Sequence, residues 1–94
     1  MAKILEYFGI VFYFYSNEHL PIHVHVSYDE YESIFEIIFE DGLVRAIEVR
    51  KAVGKDPFPT QQFREAQAIT KLYATEIVNR WTEFFVLKKK IKTL

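Results

Sequence analysis

An α+β domain is the fold class this sequence predicts: a three- or four-stranded antiparallel meander packed on one long C-terminal helix. Three observations carry that expectation. Between residues 8 and 49 the chain holds short apolar runs with the alternation of strands. Turn-forming residues punctuate those runs at Ser16-Asn17, Asp29-Glu30 and Glu40-Asp41-Gly42. From Gln61 onward the apolar spacing changes to threes and fours, and no Gly or Pro follows.

The first strand is read over Phe8 to Tyr15, where aromatic and β-branched residues fill both alternate sets. Ile10, Phe12 and Phe14 line one face, and Val11, Tyr13 and Tyr15 the other. The first face is expected to meet the helix. The tyrosine face is expected to meet a partner, since tyrosine suits a partly wet surface. Ser16 to Pro21 is a connection, and Pro21 delays the next strand because it cannot donate to a ladder. Ile22 to Tyr28 alternates cleanly, with Val24, Val26 and Tyr28 on one side and His23, His25 and Ser27 on the other.

Asp29-Glu30 reads as a two-residue turn, without the Gly such turns prefer. That turn sets Tyr28 opposite Tyr31, Val26 opposite Ser33, Val24 opposite Phe35, Ser27 opposite Glu32, His25 opposite Ile34 and His23 opposite Glu36. Ser33 to Phe39 is the next strand, with Phe35, Ile37 and Phe39 on the apolar side. Glu40-Asp41-Gly42 then reads as a three-residue loop pairing Phe39 with Leu43, which brings Leu43, Ile47 and Val49 onto the phenylalanine face. A two-residue Asp-Gly turn would bring Val44, Ala46 and Glu48 there instead, burying less apolar surface. Arg50 to Pro59 is a loop with Phe58 tucked in. Thr60 is the expected N-cap of a helix running from Gln61 to about Leu87. Phe63, Ala66, Ile69, Thr70, Tyr73, Ile77, Trp81 and Phe84 form its apolar stripe.

The 94 residues form one domain, 1–94, with no repeat or linker. Half the residues are hydrophobic, too many for a disordered chain. The net charge of −1 provides no overall field to gather nucleic acid or anionic membrane. The absence of cysteine excludes disulfides, thiolate metal sites and cysteine nucleophiles. Met1 to Glu6 is not expected to act as a signal peptide, since Glu6 interrupts any apolar run. No stretch approaches the roughly 20 apolar residues of a membrane span. A cytoplasmic location is expected. Lys88, Lys89, Lys90 and Lys92 could touch nucleic acid or an acidic protein patch, but a frayed, solvated helix end accounts for them better.

All three histidines lie in the stretch Tyr15-Ser16-Asn17-Glu18-His19-Leu20-Pro21-Ile22-His23-Val24-His25. His23 and His25 share a strand face, about 6–7 Å apart. With His19 they could hold zinc or another divalent metal, Glu18, Glu32 or Glu36 supplying an oxygen, and so activate a water. Without metal the three rings could bind an anion or act as acid and base. A third reading is structural: alternation places His23 and His25 on a semi-exposed polar face, where they need no ligand.

The run Phe14-Tyr15-Ser16-Asn17-Glu18-His19, then Pro21, then His23-Val24-His25-Val26, resembles the hallmark of a bacterial family of small proteins, the domain of unknown function numbered four-one-six-zero. The likeness extends through the Tyr31-to-Phe39 strand, the Glu40-Asp41-Gly42 turn and Asn79-Arg80-Trp81. It implies a small α+β protein encoded beside another small protein, an arrangement that suggests toxin–antitoxin-like pairs or regulatory modules. The motif positions carried over are Tyr15, Ser16, Asn17, Glu18, His19, Pro21, His23 and His25. Ile22 stands where members often have a second proline, which loosens the loop.

The expected function is a small cytoplasmic interaction or regulatory module, one member of a two-gene pair. Its recognition surface would comprise Tyr15, Ser16, Asn17, Glu18, His19, His23 and His25. Its partner would be a second copy or the neighbouring gene's product. The alternative is a histidine-based, metal-assisted or metal-free hydrolase acting on RNA or a nucleotide, with His19, His23, His25 and Glu18 as catalytic candidates.

Overall fold

The computed structural model describes residues 2–15, 21–52, 54–56 and 58–94. Its sheet has five antiparallel strands in sequential order: β1 (Ala2–Tyr7), β2 (Ile10–Phe14), β3 (His23–Tyr28), β4 (Tyr31–Glu40) and β5 (Leu43–Lys51). Two helices follow, α1 (Thr60–Leu72) and α2 (Ala74–Trp81), and then a π-helical turn over Thr82–Val86. The α+β class is as expected. The strand count is higher, and the single long helix is interrupted.

The extra strand is β1. Its two adjacent apolar residues, Ile4 and Leu5, are both buried because the register to β2 shifts between Lys3 and Leu5. A bulge of this kind breaks the period-two pattern by which a strand is recognised. The turn to β2 is Phe8-Gly9, with φ of 44° and 82°. Positive φ at both central residues is the two-residue hairpin geometry that follows strand twist. So β2 starts at Ile10, and Phe8 belongs to the turn, 84% exposed.

β3 and β4 pair in the expected register, from Tyr28↔Tyr31 to His23↔Glu36. The next hairpin departs from expectation. Asp41 and Gly42 alone form the turn, at φ 53° and 78°, so Glu40 faces Leu43 and Phe39 faces Val44. A register shift between Ile38 and Phe39 then sets Ile37 opposite Ile47 and Phe35 opposite Val49. Leu43 is therefore exposed instead of joining the core, Val44 takes its place, and Ile47 still packs on the core. The bulge reconciles a two-residue turn with the apolar face.

Ile10, Phe12, Phe14, Val24, Val26, Phe35 and Ile37 form the buried face of the sheet. Against it lie Ala66, Ile77, Val78, Trp81 and Phe85 from the helical segment. Phe14 packs against both Phe84 and Phe85, with ring centroids 5.8 and 5.6 Å away. Phe58 is buried from the loop, beside Tyr28. Pro59 holds the N-cap position in place of Thr60, which is the first helical residue.

Neither helix irregularity involves Gly or Pro. Thr70 donates its hydroxyl to the Ala66 carbonyl at 2.8 Å, and the helix breaks three residues later at Tyr73. Thr82 donates to the Val78 carbonyl at 3.0 Å, where the π-helical turn begins. Threonine bonding back to the preceding turn bends a helix, which accounts for both positions. Beyond the turn, Ile91 and Leu94 pack on the core, and the Leu94 N–H donates to the Ile4 carbonyl at 2.6 Å. No helix among the described residues is long and apolar enough to cross a membrane.

Candidate functional site

The helices cover one face of the sheet. On the opposite face strand alternation and register place Lys3 and Glu6 of β1, Val11 and Tyr13 of β2, His23, His25 and Ser27 of β3, and Glu32, Ile34, Glu36 and Ile38 of β4. Ala46, Glu48 and Arg50 of β5 complete it. The site lies where β2, β3 and β4 carry Tyr13, His23, His25 and Glu32 side by side.

His23 and His25 are not on a semi-exposed surface: they are only 5% and 4% exposed. Their rings meet edge to face, with centroids 5.2 Å apart. His25 stacks on Tyr13 at 5.6 Å and meets the Tyr15 ring edge to face at 4.4 Å. Alternating valine and histidine shows that the two rings share a face, but not that a second aromatic layer packs around them.

Glu32 ties this layer together. One carboxylate oxygen accepts from the Tyr13 hydroxyl at 2.7 Å, and the other from His25 Nδ1 at 3.3 Å. Such bonds to a partly buried carboxylate are among the stronger ones in proteins. Burial is the main reason the Tyr13 phenol ionises only well above its usual range, followed by its hydrogen bonds with Tyr15 and Glu32. His23 Nδ1 lies 2.6 Å from the Pro21 carbonyl oxygen. A carbonyl only accepts, so this nitrogen carries the proton. The same reasoning at the Glu32 carboxylate places a proton on His25 Nδ1. In the neutral form of either ring, Nε2 is thus the basic nitrogen.

Farther along β4, Glu36 binds Arg50 Nε at 2.7 Å. Register places Glu36 directly across from His23. Arg50 was not among the expected site residues: register sets it opposite Ile34, and it reaches Glu36 diagonally across the two strands. Tyr13 was legible only as a member of the tyrosine face.

Of the expected site residues, Tyr15, His23 and His25 come together as described. Ser16, Asn17, Glu18 and His19 lie outside the described residues. A metal held by the histidines would have to use Nε2 of both rings, because Pro21 and Glu32 take the Nδ1 positions. Among the described residues, no group of three or more His, Asp or Glu side chains is arranged to hold a metal ion.

Fold and site together define a small α+β protein with one covered sheet face and a histidine–tyrosine–glutamate layer on the other. The chain belongs to the family described as a domain of unknown function (DUF4160), which matches residues 9–82. That span runs from the first turn through the histidine motif and both helices. Comparison with curated proteins and with solved structures gives no match.

Proposed function

We propose that the chain is a small interaction module, one member of a toxin–antitoxin-like pair, that docks a partner protein on the sheet face opposite the helices. The observation that carries this reading is the makeup of that face. Half-buried Val11, Ile34 and Ile38 lie among charged residues, and among the described residues no helix packs on them. An aliphatic centre with a polar rim is the anatomy of a protein interface. The face is also acidic. Glu6, Glu32, Glu36 and Glu48 outnumber Lys3 and Arg50. Two such faces would repel, so a partner with a basic surface fits better than a second copy. The buried histidines pack within this face and leave the contact itself to Ile34, Ile38, Glu48 and the Glu36–Arg50 pair.

Co-expression with the product of the adjacent gene tests this. The pair should co-purify at low salt and separate as salt rises, because surface charges are screened. Failure to co-purify under any ionic strength would overturn the reading.

A second reading, a histidine-based hydrolase of RNA or a nucleotide, draws on the Glu32–His25 contact. A carboxylate on Nδ1 fixes the tautomer and orientation of an imidazole, an arrangement shared by histidine bases and histidine metal ligands. This reading predicts that untagged protein cleaves RNA and that His25→Ala abolishes cleavage. Elemental analysis of the same samples separates the metal-assisted form from the metal-free one.

A further inference from the structure

On the helix side of the sheet, the edge of β5 lies beside α1. β5 is an edge strand, and among the described residues its backbone bonds only to β4. Beside it runs α1, and between them lies a groove of about 570 Å3 lined by Arg45, Ala46, Ile47, Arg64, Gln67 and Lys71. A smaller lobe of about 260 Å3 continues it to Ala74 and Thr75. No carboxylate lines either part. Arg64 and Lys71 make no ion pair among the described residues, and Arg45 reaches only the exposed Asp41, at 3.8 Å. A chain of net charge −1 thus gathers three cations in one cleft.

We infer that this groove binds an acidic, extended peptide segment of a partner, which adds to β5 as a sixth strand. Three features select that occupant. An edge strand presents backbone donors and acceptors at strand period, which an extended peptide satisfies. Arg64 and Lys71 are seven residues apart on α1, about 10 Å along its axis, too far to converge on one phosphate. They suit carboxylates spread along a strand. No aromatic side chain lines the groove, so nucleic-acid bases would find no stacking platform. Cations along an edge also discourage aggregation. Here the cationic stripe on α1 adds a wall, and the small side chain of Ala68 leaves room between wall and edge. From Arg64 to Thr75 the groove is roughly 16 Å long, room for about five extended residues.

The test uses a fluorescein-labelled peptide of about six residues alternating glutamate and valine, read by fluorescence anisotropy on the intact chain. Binding should weaken about tenfold in Arg64→Glu/Lys71→Glu, and comparably in high salt. Both substituted residues are exposed, and circular dichroism verifies the fold; Arg64→Ala/Lys71→Ala reads the same effect with a smaller charge change. Methylating alternate peptide nitrogens should abolish binding in one frame and spare it in the other, because only one edge of the peptide meets β5. Hydrogen exchange should slow within Leu43–Lys51 when the peptide is bound. Equal binding by both methylated frames would overturn strand pairing. No binding, or displacement of the peptide by a single-stranded RNA that binds more tightly through Arg64 and Lys71, would overturn the inference as a whole.

Discussion

Glu32 is one carboxylate serving two donors, His25 from the adjacent strand β3 and Tyr13 from β2 beyond it. Glu32→Gln keeps its size but turns an amide N–H2 toward one of them. Leaving a buried donor unsatisfied costs about 1–3 kcal/mol, so urea unfolding should show a loss of that order. A change near zero would mean that the contact carries no weight. Tyr13 gives the layer a pH signature. Its phenol stays protonated in the folded chain above the usual value of 10.0, mainly because it is buried. The unfolded chain therefore releases a proton that the folded chain keeps as pH passes about 10. Stability contributed below that pH is lost as pH rises, by at most about 1.4 kcal/mol per unit. Urea midpoints at pH 9 and 11 should fall less in Tyr13→Phe than in the unaltered chain. At this scale the sequence shows that His23 and His25 share a face and that Glu32 lies near them. It does not show their burial, because an alternating strand reads as half-solvated whether or not aromatic rings cover its polar side.

The strands illustrate what period alone can and cannot reveal. The β3–β4 register was legible because every residue alternates and the turn has two residues. β1 was hidden by the shift between Lys3 and Leu5, and the β4–β5 turn by the shift at Ile38 and Phe39. Each bulge moves apolar residues out of period. The helical stripe was legible over its whole span, whereas the breaks come from Thr70 and Thr82 hydroxyls, which periodicity does not record. The first hairpin carries a correctable strain. Phe8 holds φ 44° while almost fully exposed, a conformation that Asn tolerates far better. Phe8→Asn should raise stability by about 0.5–1 kcal/mol, seen as a higher melting temperature. Gly42→Ala should act the other way, by about 1 kcal/mol, because φ is 78° and no neighbour crowds the added methyl. An unchanged or higher melting temperature in that variant would contradict the turn geometry.

Over the whole molecule, burial is concentrated on one face of the sheet. Phe35→Ala removes a fully buried ring at its centre and should cost about 3–5 kcal/mol, a large share of the roughly 5–15 kcal/mol expected for a domain of this size. Denaturant unfolding should show it as a lower midpoint. The aromatic richness of the sequence reads as surplus for a small core, yet much of it is divided between that core and the Tyr13–Tyr15–His25 layer. The face beyond that layer, with Ile34, Ile38 and Glu48, is the central claim of the proposed function. The most direct measurement is the light-scattering mass of the chain alone and mixed with the adjacent gene's product, for the unaltered chain and for Ile34→Lys/Glu48→Lys. The prediction is a monomer near 11.2 kDa alone, a heteromeric complex in the mixture, and monomer again in the mixture with the variant. A mixture that never exceeds the separate masses, or a complex that the two substitutions leave intact, would contradict it.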